Sequence, residues 1–292
     1  KHGVTPDHKL RKAMYDPLTE QKAVSGTVSL IGSDFTLDES SDIRRILRTT
    51  GYTLKELPGC RTWEEYQQLG TGELLISCYP PAKYGADILA ERLKRQHLYL
   101  PGSFDYGEIK EEIQSLIHAL RIEKNVLSDD LEAFFEREIT LCEDTFRHTK
   151  TVIGDTPIVL DYLFHPRPLG LAKILLEHEF QVTAVYLDSI SPEEKSTFDW
   201  LKTYHPDLEL RATIQAKMRV LPRNSETRTL AIGQKAAWFS GSRNFVNMVQ
   251  GGGLWGFDGI RRTLELMTEA FLKEKDPKDL IVRKGWGCES CI

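Results

Sequence analysis

The sequence lacks what would direct it to a membrane, a nucleic acid or an oxidising compartment. No apolar run approaches the roughly 18 residues that a membrane helix needs, and no signal-like apolar segment opens the chain. Basic charge is not in excess. The 38 Lys and Arg residues stand against 43 Asp and Glu, giving a net charge of −5 without the basic stripe of nucleic-acid binders. Cysteine is sparse and odd in number, five residues at 60, 78, 142, 288 and 291. That argues against a secreted disulfide framework and suits a reducing compartment, the cytoplasm in the plain reading. The dinucleotide fingerprint is missing too. Gly32-Ser-Asp-Phe-Thr36 follows a strand-like run but is not Gly-x-Gly-x-x-Gly, so no nucleotide is expected there. The chain opens on Lys1 rather than Met and stops abruptly at Cys291-Ile292, and so reads as a piece of a longer protein.

What is present is ordinary globular material. Apolar residues make up 40% and charged residues 28% of the 292, enough for two cored domains. Residues 1–24 are polar, basic in patches and without clear period, and read as an arm or linker. A unit then repeats over residues 25–125. Thr27-Val-Ser-Leu-Ile-Gly32 is a short apolar run ending in Gly, as a buried parallel strand would be. Helical spacing follows through Ile43, Ile46 and Leu47, and Gly51 closes it. Strand runs at Tyr52–Leu57, Glu73–Cys78 and His97–Leu100 alternate with helical patterns at Trp63–Leu69, Tyr84–Leu93 and 106–121. Such alternation means βαβ units on a parallel sheet.

Residues 126–150 read as a charged connecting helix with Leu131, Phe134, Phe135 and Ile139 on its apolar positions. The alternation restarts over 151–275, with strands at Thr156–Asp161, Gln181–Leu187, Leu208–Ile214 and Thr229–Ile232. Helices are expected at Leu169–Leu176 and Phe257–Phe271, and Ser191-Pro-Glu-Glu194 reads as a capping box with Pro at the first helical position. Residues 276–292 read as a flexible tail. The expected fold class is α/β: two doubly wound, Rossmann-like parallel-sheet lobes with a cleft between them. In such sheets ligands sit beyond the carboxyl ends of the strands.

Several strand-end segments go further. Val28-Ser-Leu-Ile-Gly-Ser-Asp-Phe35, then Leu75-Ile-Ser-Cys-Tyr79 leading into Tyr84–Leu93, then Pro101-Gly102 and finally Gly253-Leu-Trp-Gly-Phe-Asp-Gly259 follow one another in order. In that order and spacing, over about residues 24–272, they resemble the component 1 subunits of nitrogenase-type reductases. The resemblance implies that Cys78 is the metal ligand, since the matching segment of the α subunit supplies the cysteine of the iron–molybdenum cofactor. A related cofactor-maturation scaffold uses the same segment. Two departures stand out. Nothing here corresponds to the family's N-terminal domain with its electron-relay cluster. No histidine follows His205, whereas the α subunit places its second cofactor ligand shortly before Gly-Phe-Asp-Gly. The window Asn244–Gln250 offers Asn and Gln instead, with Asn247 among the residues expected to face a cofactor.

Thiolate is the ligand that iron–sulfur clusters prefer, and Cys78 ends a buried strand; a small buried hydrophobe is the competing role. Lys235, Ser242 and Arg243 lie among glycines in Gly233–Asn244 and could hold the acidic groups of a cofactor at a strand-end rim. His165, at the end of the strand opening the second lobe, is a candidate ligand or proton donor. Cys60 reads as a loop thiol. Cys288 and Cys291 form a lone Cys-x-x-Cys pair, too few donors for a four-ligand site. Three functions compete. The first is a component 1-like subunit binding an iron–sulfur or iron–heterometal cluster, or a macrocycle, for ATP-driven reduction, with a partner subunit and an ATP-hydrolysing iron protein. The second is a non-catalytic scaffold for metal-cofactor assembly, and the third a metal-free two-lobed transferase or ligand-binding protein. Neither nucleic acid nor membrane is an expected partner, and this chain alone is expected to be inactive.

Overall fold

The computed structural model describes residues 3–121, 131–221, 227–276 and 280. The chain divides into two compact units, Lys1–Ile139 with Gly253–Gly259, and Thr140–Gly252 with Ile260–Ile292. Both are α/β, each built on its own parallel sheet.

In the first unit α1 (Pro6–Ala13) precedes β1 (Val24–Leu30), α2 (Asp42–Thr49), β2 (Thr53–Glu56), α3 (Trp63–Gln67), β3 (Gly72–Ser77), α4 (Ala82–Leu93), β4 (Gln96–Tyr99) and α5 (Tyr106–Ala119). The strand order is β2-β1-β3-β4, all parallel. β1 and β3 are central and covered on both faces, which is why they read as continuous apolar runs in sequence. Their core includes Val28, Leu30, Leu75 and Ile76, each at most 1% exposed.

Within the stretch read as an arm or linker, residues 3–24 include a capped helix and residues of the core. Thr5 caps α1 through a capping box, and Tyr15 and Leu18 sit in the same apolar cluster as Leu75, Leu89 and Leu93. The sequence hid this because the most buried residue of α1 is a charged one, Arg11.

In the second unit the strands are β5 (Ile158–Asp161), β6 (Val182–Tyr186), β7 (Glu209–Arg211), β8 (Leu230–Ile232) and β9 (Asn244–Val246). Their order is β7-β6-β5-β8-β9, again all parallel. The helices α7 (Pro168–Glu177), α8 (Lys195–Tyr204) and α9 (Gln234–Ser240) connect them. Two longer helices, α6 (Leu131–Ile153) and α10 (Gly256–Leu272), each contain a division between the units. Both sheets have a point where the chain reverses its direction of winding, between β1 and β3 in the first and between β5 and β8 in the second. In doubly wound sheets such points leave a crevice at the carboxyl ends of the strands.

The expected capping box at Ser191 does not form. Residues Pro192–Glu194 make a single tight turn before α8, and Ser191 makes no side-chain cap. Glu194 turns away to accept the backbone N–H of Gly170 at 2.8 Å. It thereby caps α7, whose own N-cap position, Arg167, makes no side-chain cap bond. Among the described residues no helix is long and apolar enough to cross a membrane.

Candidate functional site

Cys78 directly follows β3, in a turn that Pro80 and Pro81 stiffen before α4. The Leu100 N–H donates to Ser77 O at 2.9 Å and the Ala82 N–H to Tyr79 O at 2.8 Å, fixing both ends of the turn. Burial pushes the Cys78 thiol well above its ordinary range, and the carboxylates of Glu112 and Glu56 push it further. Left to itself this cysteine is a thiol, not a thiolate.

Beside that turn the crevice of the first sheet is filled from within the unit. Gly32, at the end of β1, has φ +77, and a Cβ on it would lie 2.3 Å from the Ala82 Cβ. Its N–H donates to the Tyr15 hydroxyl at 2.7 Å. Arg11 donates to Gly32 O at 2.8 Å and grips both Asp34 carboxylate oxygens at 2.7 and 2.6 Å. Its guanidinium also stands 4.7 Å from the centre of the Tyr79 ring. The Gly32 amide and carbonyl, the Asp34 carboxylate and the Arg11 guanidinium are thus engaged with one another and with Tyr15.

One constellation escaped sequence reasoning. His97 accepts or donates at Ser77 Oγ over 2.8 Å through Nε2, and meets Asp87 Oδ1 at 2.7 Å through Nδ1. With Asp87 ionised the imidazole proton sits on Nδ1, and Ser77 donates to Nε2. The polarity is that of a Ser–His–Asp triad. Ser77, however, is wholly buried, so no substrate reaches its oxygen. The three residues tie β3, β4 and α4 together. Only the parallel register, which pairs Leu75 with His97, brings them within reach, and no local motif announces it.

In the second unit three of the expected residues share the carboxyl edge of the sheet and two do not. Lys235 follows β8, Asn247 follows β9, and His165 lies in the loop after β5. Ser242 and Arg243 precede β9 and lie at the amino edge, because α9 carries the chain back along the sheet. The Ser242 hydroxyl donates to Thr229 O, ahead of β8, at 2.5 Å, and Arg243 pairs with Glu274 at 3.0 Å in the open. Lys235 thus lies at one edge of the sheet and Ser242 and Arg243 at the other.

Lys235 is held by its neighbours. It donates to the Tyr162 hydroxyl and to Thr213 Oγ1 at 2.8 Å, lies 3.7 Å from Asp188 and 4.4 Å from the centre of the Tyr162 ring. Thr213 in turn donates to Asp188. A carboxylate of the chain itself occupies the start of α9. Asp161, 1% exposed, accepts the N–H groups of Ala236 at 2.7 Å, Leu163 at 2.7 Å and Phe164 at 3.0 Å. Gly233 must be glycine to allow this. Its φ is +112, and a Cβ there would lie 2.3 Å from an Asp161 oxygen. Asn247 accepts from the Gln234 amide at 2.9 Å.

His165 is no proton donor at neutral pH. Burial, and after it the Arg167 guanidinium, pushes its pKa down to about 3. Its Nδ1 accepts the Arg167 N–H at 3.0 Å, leaving the proton on Nε2. The Gly251 N–H donates to Phe164 O at 2.6 Å, drawing the glycine-rich loop against the histidine's own loop.

Cys60 is a partly buried thiol that donates to Glu56 O at 3.5 Å, and Cys142 is buried. Cys288 and Cys291 lie outside the described residues. Among the described residues no group of three or more His, Cys, Asp or Glu side chains is arranged to hold a metal ion.

Comparison with known proteins gives a fold. No family model and no curated protein matches the sequence. Solved structures do: nitrogenase Cp1 at pH 6.5 superposes with a TM-score of 0.61 at 15% identity, covering 92% of this chain and 65% of the other. Nitrogenase Cp1 at pH 5 gives 0.60 at 13% identity, covering 92% and 62%. The chain therefore spans less than two thirds of the length of these relatives in fold. It has a nitrogenase-like fold.

Proposed function

We propose that this chain is part of a component 1-like subunit, and that its first unit anchors a preassembled iron–sulfur or iron–heterometal cluster through Cys78. The observation that carries the reading is Cys78 itself, at the carboxyl end of β3 in a nitrogenase-like fold, within the segment that resembles the family's cofactor-ligating turn. The donor set fits only one kind of group. A bare metal ion needs several protein ligands, and the described residues gather none. A cluster that brings its own bridging atoms needs a single thiolate at this point. Its positive charge would offset both the burial and the two carboxylates that now hold the Cys78 proton.

One soft donor and no later histidine favour holding a cluster over turning substrate over on it. Cluster-driven reduction would need the component 1-like partner subunit and the ATP-hydrolysing iron protein that the resemblance implies.

The test is anaerobic incubation of the chain with a preformed synthetic iron–sulfur cluster carrying exchangeable thiolate ligands, then desalting, iron analysis and visible absorption, with Cys78→Ala alongside. The expected result is bound iron with charge-transfer absorption, lost in Cys78→Ala. A colourless chain, or equal iron in both proteins, overturns the proposal.

A further inference from the structure

The amino edge of the first sheet, opposite the edge that bears Cys78, carries a cleft of about 520 Å³. Ser25, Tyr52, Glu73 and Gln96, at the starts of the four strands, line one side, and Leu120 and Arg121, after α5, line the other. Leu74 and Ala119 complete it with apolar surface.

Two opposite charges face this space, and neither has an ion-pair partner among the described residues. Glu73 is prepositioned: its carboxylate accepts the Gly26 N–H at 3.0 Å. Tyr52 donates its hydroxyl to Leu120 O at 2.8 Å, tying the cleft floor to the end of α5. Its phenol is pushed up by burial first, then by Glu73, while Arg121 pulls it back, so both charges act at one hydroxyl. Arg121 is exposed.

We infer that this cleft binds a small zwitterion of the α-amino-acid class. Its ammonium would sit on the Glu73 carboxylate, and its carboxylate on the Arg121 guanidinium. Arginine suits that end, because its planar fork pairs with both oxygens of a carboxylate. Gln96 and Ser25 offer neutral hydrogen bonds at the rim, and the volume leaves room for a side chain. A ligand with one charge would satisfy only one wall. The inference is independent of the cluster proposal, since it uses the other edge of the sheet and none of the same residues.

The full chain is titrated calorimetrically with each standard L-amino acid, and with acetate and methylamine as single-charge probes. At least one amino acid should bind with a Kd between micromolar and millimolar. Acetate and methylamine should bind at least about tenfold more weakly. Arg121→Ala, on an exposed side chain, should weaken amino-acid binding about tenfold or more without lowering Tm, and Glu73→Gln should weaken it similarly. No binding by any amino acid overturns the inference, as does binding that both variants leave unchanged or that acetate alone matches.

Discussion

Arg11 and Asp34 form a two-pronged ion pair across the crevice of the first sheet, with the arginine side chain only 5% exposed. Arg11 belongs to α1 and Asp34 to the turn after β1. The same guanidinium lies over Tyr79, the residue next to Cys78. Arg11 thus joins the two turns on either side of the point where the sheet changes winding.

Arg11→Gln should therefore loosen the Cys78 turn. It removes a forked ion pair with one exposed partner, for a loss of roughly 1–3 kcal/mol. The informative measurement is site-resolved alkylation by mass spectrometry, with Cys60 as reference in the same unit. Cys78 should react at least about fivefold faster relative to Cys60 than in the wild type, a difference of about 1 kcal/mol in local opening. If both cysteines accelerate equally, the unit has merely lost stability and Arg11 does not position the turn.

Glu194 should make the second unit less stable as pH rises. Burial, against the N–H groups and Arg167 that favour its charge, pushes its pKa up to about 7 from an ordinary 4.5. The folded state then holds the proton more tightly than the unfolded one. The contribution is complete below about pH 4.5 and is lost as pH rises toward 7. Glu194→Gln keeps an acceptor for Gly170 and has no charge to bury. Its Tm advantage over the wild type should be absent at pH 4.5 and reach several degrees at pH 8, by scanning calorimetry. An advantage that does not change with pH would refute the account.

His165 works with the opposite sign. Its folded pKa of about 3 lies below the ordinary 6.5, so its contribution is present above pH 6.5 and is lost as pH falls toward 3. A shift of this size corresponds to a few kcal/mol at the acid limit. His165→Asn, which does not titrate, should show a shallower fall of Tm between pH 6.5 and 4. Parallel curves for the two proteins would show that another group drives the acid transition.

The sheets were legible because buried parallel strands leave a plain mark: Val28–Ile31, Leu74–Ile76 and Ile158–Leu160 are apolar runs closed by polar or glycine residues. What could not be read was any element whose burial is polar. The first helix hides because Arg11 and Tyr15 enter the interior through hydrogen bonds rather than apolar contact. α9 and β9 hide because they are seven and three residues long, too short to show a period. That brevity also hides the return across the sheet that separates Lys235 from Ser242 and Arg243. Glu194 looked local, as a capping-box residue, and acts instead on a helix 24 residues earlier in the chain. The position of Cys78 after a buried strand is legible in the sequence, and the Ser77–His97–Asp87 contacts are not, because they depend on register.

Asp161 offers the sharpest test of how the second sheet's carboxyl edge is organised. Its buried carboxylate stands where an anion would bind in many α/β proteins, over the first amides of α9 and of the loop after β5. Asp161→Ala would strand three N–H groups and leave a space bordered by Gly233. Each unpaired buried donor costs about 1–3 kcal/mol, so the variant should lose at least about 3 kcal/mol and unfold earlier in urea. The space left is the size of the carboxylate removed. Formate should therefore enter it and restore part of the stability of Asp161→Ala, while leaving the wild type unchanged. Asp161→Asn, which fills the space but carries no charge, should be intermediate and insensitive to formate. If formate fails to rescue Asp161→Ala, or stabilises all three proteins alike, Asp161 is not the internal anion of this edge.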